Sequence, residues 1–111
     1  MNLYVDDIRN PKTDGWIVKR NFNDAKDWII KNGIPKYISL DHDIDSYDKN
    51  GNELTGYDLI KWIIDYDMKT NQITKKYLIR SHSANPVGKE NIEMYFKNYM
   101  RTKFKGNKNE I

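Results

Sequence analysis

Short apolar runs that alternate with longer amphipathic segments are the feature that most restricts the fold of this chain. The runs cover residues 3–5, 16–20, 37–40 and 77–79, and each has the length of a β-strand. The last three are each followed by a segment with apolar residues at helical spacing. This β-β-α-β-α-β-α order predicts right-handed crossovers and a mainly parallel sheet that is covered on both faces.

The expected fold is therefore a small three-layer α/β domain with a mainly parallel four-stranded sheet and about three helices. The predicted strand order is 2-1-3-4, which is a shortened relative of the flavodoxin arrangement. In such sheets a ligand binds beyond the carboxyl ends of the strands, where the strand order switches direction. Residues that directly follow the strands are thus the first candidates for a functional site.

Polar caps and turn residues indicate where the helices begin and end. The expected starts are Asn21 or Asn23, Thr55 and Asn85-Pro86, and the expected ends are Asn32-Gly33 and Asn71. The predicted apolar positions of the last helix are Val87, Ile92, Tyr95, Phe96 and Tyr99. Residues 45–54 are expected to form a polar loop.

A chain of 111 residues fits one domain, which is predicted to span residues 1–101. The net charge is +3, and its basic excess concentrates near the end, in Arg101, Lys103, Lys105 and Lys108. Residues 102–111 are interpreted as a basic, frayed tail, with a nucleic-acid contact as the alternative.

The composition excludes several classes of protein. The chain has no cysteine, so it has neither disulfides nor thiolate metal sites, and a metal would be held by oxygen and imidazole. No apolar run approaches the roughly 18 residues of a membrane span. The early acidic residue Asp6 is not typical of a signal peptide. A cytoplasmic location without a membrane partner is the resulting expectation.

Polar residues cluster directly after three of the predicted strands. The clusters are Asp6-Asp7 with Arg9 nearby, Asp41-His42-Asp43, and Ser81-His82-Ser83, and they contain both histidines of the chain. Parallel strands bring their carboxyl ends to one rim, so these side chains should converge there. Crowded carboxylates repel one another unless they share a proton or a cation. A hard divalent cation, Mg²⁺ or Mn²⁺, would resolve that repulsion.

Each cluster also has a structural interpretation. Asp after a strand often starts a loop, and Thr55 is foremost a helix cap. The backbone N–H groups at the start of the last helix could in turn form an anion site that faces the same rim. The candidate phosphate-binding residues are Arg9, Thr55, Ser83, Asn85 and Lys89.

Three segments resemble the cyclic-phosphate processing receiver-like domain family. They are residues 3–9 (Leu-Tyr-Val-Asp-Asp-Ile-Arg) with Pro11, residues 38–43 (Ile-Ser-Leu-Asp-His-Asp) with residues 55–58 (Thr-Gly-Tyr-Asp), and residues 82–88 (His-Ser-Ala-Asn-Pro-Val-Gly). The resemblance covers the chain from its start to about residue 100. The Asp-His-Asp and His-Ser-Ala-Asn-Pro motifs are specific, whereas the Asp-Asp pair is shared with every response-regulator receiver.

The resemblance implies a receiver-like fold and a role in processing cyclic nucleotides or cyclic phosphate ends. Ordinary receivers share the acidic pair and an Asp after the third strand, matched here by Asp6, Asp7 and Asp41. They also need a hydroxyl residue after the fourth strand, which Ser81 or Ser83 could supply, and a Lys after a fifth strand. No fifth strand is visible in this sequence, which argues against phosphoacceptor chemistry at Asp41.

The leading hypothesis is a metal-dependent phosphoesterase that opens or hydrolyses a cyclic phosphate. Asp7, Asp41 and Asp43 would hold the metal, with Asp6 behind them or as a further ligand. The catalytic candidates are Asp41, His42 and His82, and which histidine is the acid and which the base stays open. The substrate would be a small phosphorylated molecule.

A second hypothesis is a non-enzymatic receiver-like module that binds or sequesters a nucleotide or a protein partner, such as a phage-encoded regulator. A third is a nucleic-acid binder that uses the basic tail, for which binding would depend strongly on salt.

Overall fold

The computed structural model describes residues 2–74 and 76–105. Within these residues, six strands and three helices follow one another in the order β-β-α-β-β-β-α-β-α. The strands are β1 (Asn2–Val5), β2 (Trp16–Lys19), β3 (Tyr37–Leu40), β4 (Ser46–Tyr47), β5 (Glu53–Leu54) and β6 (Leu78–Ser81). The helices are α1 (Phe22–Asn32), α2 (Gly56–Thr70) and α3 (Pro86–Lys103).

Four of the strands form one parallel sheet in the order β2-β1-β3-β6. This confirms the predicted α/β class, the parallel sheet and the order 2-1-3-4, since β6 is the fourth strand of the sheet. The register pairs Val5 with Leu40 and Leu40 with Ser81. The residues that follow β1, β3 and β6 therefore begin at the same edge, which we call the carboxyl rim.

The three helices form one layer, in which α2 packs between α1 and α3. The sheet contributes to their common core from one face only, through Leu3, Val5, Ile38, Leu40 and Ile79. Side chains at the intervening positions lie on the opposite face.

Helices were expected on both faces, and the chain connections explain the difference. Right-handed crossovers that advance in the same direction place their helices on the same side of a sheet. The steps from β2 to β3 and from β3 to β6 both advance in one direction. The step from β1 to β2 runs the other way, but residues 6–15 contain no helix.

The predicted helix caps are confirmed by their hydrogen bonds. The side chain of Asn21 accepts from the backbone N–H of Asp24, and Asn85 caps α3 in the same way. Thr55 and Asp58 form a reciprocal capping box at the start of α2. Asn71 ends α2 in the left-handed conformation, with φ at 50°. Within the described part of the chain, no helix is long and apolar enough to cross a membrane.

The stretch predicted as a polar loop contains a short antiparallel hairpin, β4–β5. The carboxylate of Asp48 accepts from the backbone N–H groups of Asn50 and Asn52 and so closes the turn. Gly51 in this turn has φ at 82°, a conformation that glycine adopts without strain. Val87, a predicted packing position of α3, is instead 67% exposed.

The end of the domain lies beyond the predicted boundary at residue 101. Helix α3 continues to Lys103, and Phe104 packs against the core. The ammonium of Lys103 lies 2.6 Å from the buried carboxylate of Asp67. Residues 102–104 are thus part of the packed domain rather than of a tail. Lys108, the last basic residue of the predicted tail, lies outside the described residues.

Asp67 joins the end of α2 to α3. Its carboxylate accepts from the Tyr99 hydroxyl, the Lys103 ammonium and the backbone N–H of Ile73. Burial raises the pKa of Asp67, but the hydrogen bonds from Lys103 and Tyr99 outweigh it, and the pKa lies below the ordinary value of 3.8. The ionised form of Asp67 therefore stabilises the folded state.

We predict that Asp67→Asn lowers the free energy of unfolding by about 3 kcal/mol, because it leaves the Lys103 ammonium without its anion. Asp65→Asn, an exposed carboxylate of the same helix, is the matched control and should change it by less than about 0.5 kcal/mol. Urea denaturation at pH 7 measures both.

The contribution of Asp67 should also depend on pH with a defined sign. Because the folded-state pKa lies below the unfolded value, the stabilisation is present above that value and is lost as the pH falls through the folded-state pKa. The stability difference between wild type and Asp67→Asn should therefore shrink on acidification below about pH 4. An undiminished difference at pH 2 would contradict this assignment.

Candidate functional site

Three carboxylates converge at the carboxyl rim. Asp6 and Asp7 follow β1, and Asp41 follows β3, which is the neighbour of β1 in the sheet. One oxygen from each lies within 4.8 Å of the others, and we call these three residues the carboxylate group. Among the described residues, Asp43 is not part of this group. The structure thus brings together three of the four residues that were predicted as metal ligands.

Asp6 is the most enclosed member of the group, with no exposed surface. Its Oδ1 accepts from the backbone N–H groups of Ile8 and Arg9 at 3.0 and 2.8 Å. Its Oδ2 lies 2.8 Å from Nε2 of His82 and 3.3 Å from Nε of Arg9. Burial raises the pKa of Asp6, but these four partners together lower it below its ordinary value. Asp6 is an ionised carboxylate whose oxygens are already well supplied with donors.

Asp7 and Asp41 are less fully engaged. Burial raises the pKa of Asp7 above its ordinary value, and the nearby negative charges of Asp6 and Asp41 raise it further. In Asp41, Oδ1 accepts from the backbone N–H of His42, and Oδ2 lies 3.3 Å from the guanidinium of Arg9. The crowding of the three carboxylates makes the ionised form of Asp7 unfavourable. A hard divalent cation would offset this repulsion, because such cations prefer carboxylate oxygens as ligands.

Two arginines organise the loop that follows β1. The guanidinium of Arg9 contacts Asp6, Asp41 and the backbone carbonyl of His82, and so spans all three strand ends. Arg20, which follows β2, donates to the backbone carbonyls of Asp6 and Arg9 and to the side chain of Asn10. The side chain of Arg9 is 46% exposed, so part of its guanidinium faces solvent.

Both ring nitrogens of His82 have partners within the protein. Nε2 faces Asp6, and Nδ1 lies 2.8 Å from the hydroxyl of Ser39. The ring also stacks on Tyr4, with the centroids 4.3 Å apart and the planes inclined by 4°. His82 is therefore fixed in position and orientation on the sheet face that faces away from the helices.

His42 differs from His82 in that one of its nitrogens is free. Nδ1 lies 3.0 Å from the carboxylate of Asp43, whereas Nε2 has no hydrogen-bond partner among the described residues. Asp43 therefore orients His42 and does not join the carboxylate group. The side chain of His42 is 20% exposed and can reach a ligand at the surface.

The start of α3 offers a poorer anion site than the sequence predicted. The backbone N–H of Asn85 donates to the hydroxyl of Ser83, and the N–H of Gly88 donates to the side chain of Asn85. Lys89 is exposed and, among the described residues, makes no ion pair with the carboxylate group. Thr55 is occupied in its capping box. Among the predicted phosphate-binding residues, only Arg9 contacts Asp6 and Asp41 of the carboxylate group.

Two glycines hold the Asp41-His42 segment in place, a role that the sequence analysis missed. A Cβ on Gly56 would lie 2.1 Å from the carbonyl oxygen of Asp41, and the N–H of Gly56 donates to the carbonyl of His42. A Cβ on Gly88 would lie 2.5 Å from the His42 ring. Both glycines lie in the first turn of a helix, although glycine is a poor helix former. This mismatch is the sequence signal that could have indicated close packing at these positions.

The fold and the rim define the class of this protein as a receiver-like α/β domain with an acidic, histidine-containing site. The model of the cyclic-phosphate processing receiver domain family matches residues 1–98. The chain belongs to this family. No curated protein and no solved structure gives a significant match.

We predict that Gly88→Ala destabilises the protein by about 1–3 kcal/mol, because the new methyl group overlaps the His42 ring. The sign of this change in stability is informative, because replacing Gly by Ala in a helix normally stabilises a protein by up to about 1 kcal/mol. Val87→Ala, an exposed position in the same turn, is the control and should be nearly neutral. Thermal denaturation with both variants measures the difference, and a stabilising Gly88→Ala would exclude the close packing.

Proposed function

We propose that this chain is a metal-dependent phosphoesterase that opens or hydrolyses a cyclic phosphate, either a cyclic nucleotide or a cyclic phosphate end. The observation that carries the proposal is the carboxylate group beside Arg9 at the carboxyl rim. Family membership supports cyclic phosphate as the substrate class.

The donor set favours Asp7 and Asp41 as the direct metal ligands. Both have carboxylate oxygens that are less engaged than those of Asp6, whose partners are the protein's own donors. Asp6 would then act through its negative charge and through Arg9 and His82, which it orients. When bound, Mg²⁺ or Mn²⁺ supplies positive charge that stabilises the negative charge of a phosphoryl group.

Arg9 is the residue best placed to bind the phosphate itself. Each terminal nitrogen of its guanidinium uses one N–H toward the protein, in contacts with His82 and Asp41. A second N–H on each terminal nitrogen remains available for a ligand. Because the guanidinium is planar, it can donate such N–H groups to two oxygens of one phosphate. Arg9 thus links substrate binding to the position of the carboxylates.

The geometry favours His42 over His82 as the group that moves the proton. The carboxylate of Asp43 accepts the Nδ1 hydrogen of His42, which leaves the lone pair on the free Nε2. In the proposed hydrolysis, a water oxygen forms a bond to phosphorus and one P–O bond of the ring breaks. The water proton passes to Nε2 of His42 and then to the ring oxygen that leaves, which becomes a hydroxyl.

One observation favours a non-enzymatic binding module as the second candidate. The guanidinium of Arg9 contacts Asp6 and Asp41 and so neutralises part of their charge. Such a site could hold a phosphorylated ligand through Arg9 and release it unchanged. This candidate requires ligand binding without turnover, so product analysis separates it from the first.

We predict that millimolar Mg²⁺ or Mn²⁺ raises the melting temperature of the wild type, because a ligand that binds only the folded state stabilises it. Asp7→Asn should abolish most of this shift. Asp43→Asn is the matched control and should retain it, because Asp43 lies outside the carboxylate group. Differential scanning fluorimetry with a chelator baseline measures all three proteins. A wild-type melting curve that is insensitive to both ions would refute the metal requirement.

We predict that His42→Ala slows ring opening by about 10²- to 10⁴-fold, the usual contribution of general acid–base catalysis. Asp43→Asn should slow it less, since it removes the orienting carboxylate but keeps the imidazole. A panel of 3′,5′-cyclic, 2′,3′-cyclic and cyclic dinucleotide phosphates, with products separated by chromatography, provides the measurement. Binding without turnover of any of them would favour the binding module.

A further inference from the structure

We infer that Ser39 is a positioning residue of this site: its hydroxyl fixes the imidazole of His82, which in turn holds the buried carboxylate of Asp6. The functional part of this inference rests on the proposed phosphoesterase activity. The structural part stands on the contacts alone.

The hydrogen bonds form a continuous chain from β3 to the carboxylate group. Ser39 Oγ lies 2.8 Å from His82 Nδ1, and His82 Nε2 lies 2.8 Å from Asp6 Oδ2. The backbone N–H groups of Ile8 and Arg9 and the guanidinium of Arg9 also donate to Asp6, so its carboxylate acts as an acceptor and Nε2 of His82 carries the hydrogen. In the neutral imidazole, Nδ1 then holds the lone pair and accepts the hydroxyl hydrogen of Ser39.

The hydroxyl of Ser39 adds a constraint that stacking cannot supply. Stacking on Tyr4 sets the plane of the His82 ring but is compatible with two orientations that differ by a half turn. Only one of them directs Nδ1 at Ser39 and Nε2 at Asp6 together. The two hydrogen bonds therefore select one orientation of the ring.

The position of Ser39 in the sheet favours this role. It lies in β3, a central strand, between the buried residues Ile38 and Leu40, and its own side chain is on the face opposite the core. Central strands favour β-branched residues, so strand propensity does not explain a serine here. The same preference makes Ser39→Thr and Ser39→Val suitable variants, because both residues are compatible with a strand and Val carries a methyl group where Thr carries the hydroxyl.

Partners that orient the residues of a metal site typically contribute about 10- to 100-fold to affinity or activity. We expect Ser39→Val to lower the turnover of the cyclic phosphate that the wild type accepts by a factor in this range. Ser39→Thr should restore turnover to near the wild-type value.

Nuclear magnetic resonance tests the inference without requiring activity. The observed signals are the ¹⁵N resonances of the His82 ring, at a pH where the ring is neutral, and the amide resonances of Ile8 and Arg9, which donate to Asp6. In Ser39→Val, the Nδ1 resonance should move toward that of an unbonded lone pair, and both amide signals should shift. Ser39→Thr should keep wild-type signals. Ser39→Ala removes the hydroxyl without added volume and should behave like Ser39→Val.

Wild-type ring and amide signals in both Ser39→Val and Ser39→Ala would overturn the inference. Equal changes in all three variants would assign the effect to packing rather than to the hydroxyl, and would also overturn it. A wild-type protein that turns over none of the cyclic phosphates would refute the proposed function instead. The magnetic resonance comparison would still decide whether Ser39 positions His82 and Asp6.

Discussion

The buried carboxylate of Asp6 is the interaction around which the functional end of this protein is organised. A carboxylate without solvent exposure is costly unless donors replace the water that it loses. The structure meets this cost with two backbone N–H groups of its own loop, the guanidinium of Arg9 and the imidazole of His82. These partners come from the ends of β1 and β6, so Asp6 ties together segments that are far apart in the sequence.

The same arrangement explains why the two histidines differ. His82 follows β6 and turns onto the sheet face that carries no helix, where Tyr4 and Ser39 enclose it. His42 follows β3 and turns toward α3, where Gly88 leaves room for its ring and Asp43 holds one nitrogen. Both ring nitrogens of His82 are therefore used in contacts within the protein, whereas Nε2 of His42 remains available to a ligand. The division follows from which side of the sheet each residue faces.

The single helical layer has a consequence for the site as well. Because residues 6–15 contain no helix, no helix in the described part of the chain covers the second sheet face, and Tyr37 and Arg80 on this face are exposed. Tyr4 packs between Trp16 and His82 on this face, which buries its ring without a helix above it. His82 therefore lies on the sheet face without a described helix, next to the loop that carries Asp6 and Arg9.

The sequence by itself determined the parallel sheet, its strand order, the helix caps and the set of residues at the carboxyl rim. These features depend on local patterns: apolar runs, capping residues such as Asn21 and Thr55, and the rule that parallel strands end on one side. The tertiary structure decided the rest. It placed Asp43 beside the ring of His42 rather than in the carboxylate group, and it gave both nitrogens of His82 a partner. It also packed the Asp41-His42 segment closely against Gly56 and Gly88. It also extended the domain to Phe104 through the pairing of Lys103 with Asp67. These outcomes depend on contacts between residues distant in the sequence, or on the direction in which a side chain turns, and no local pattern encodes either.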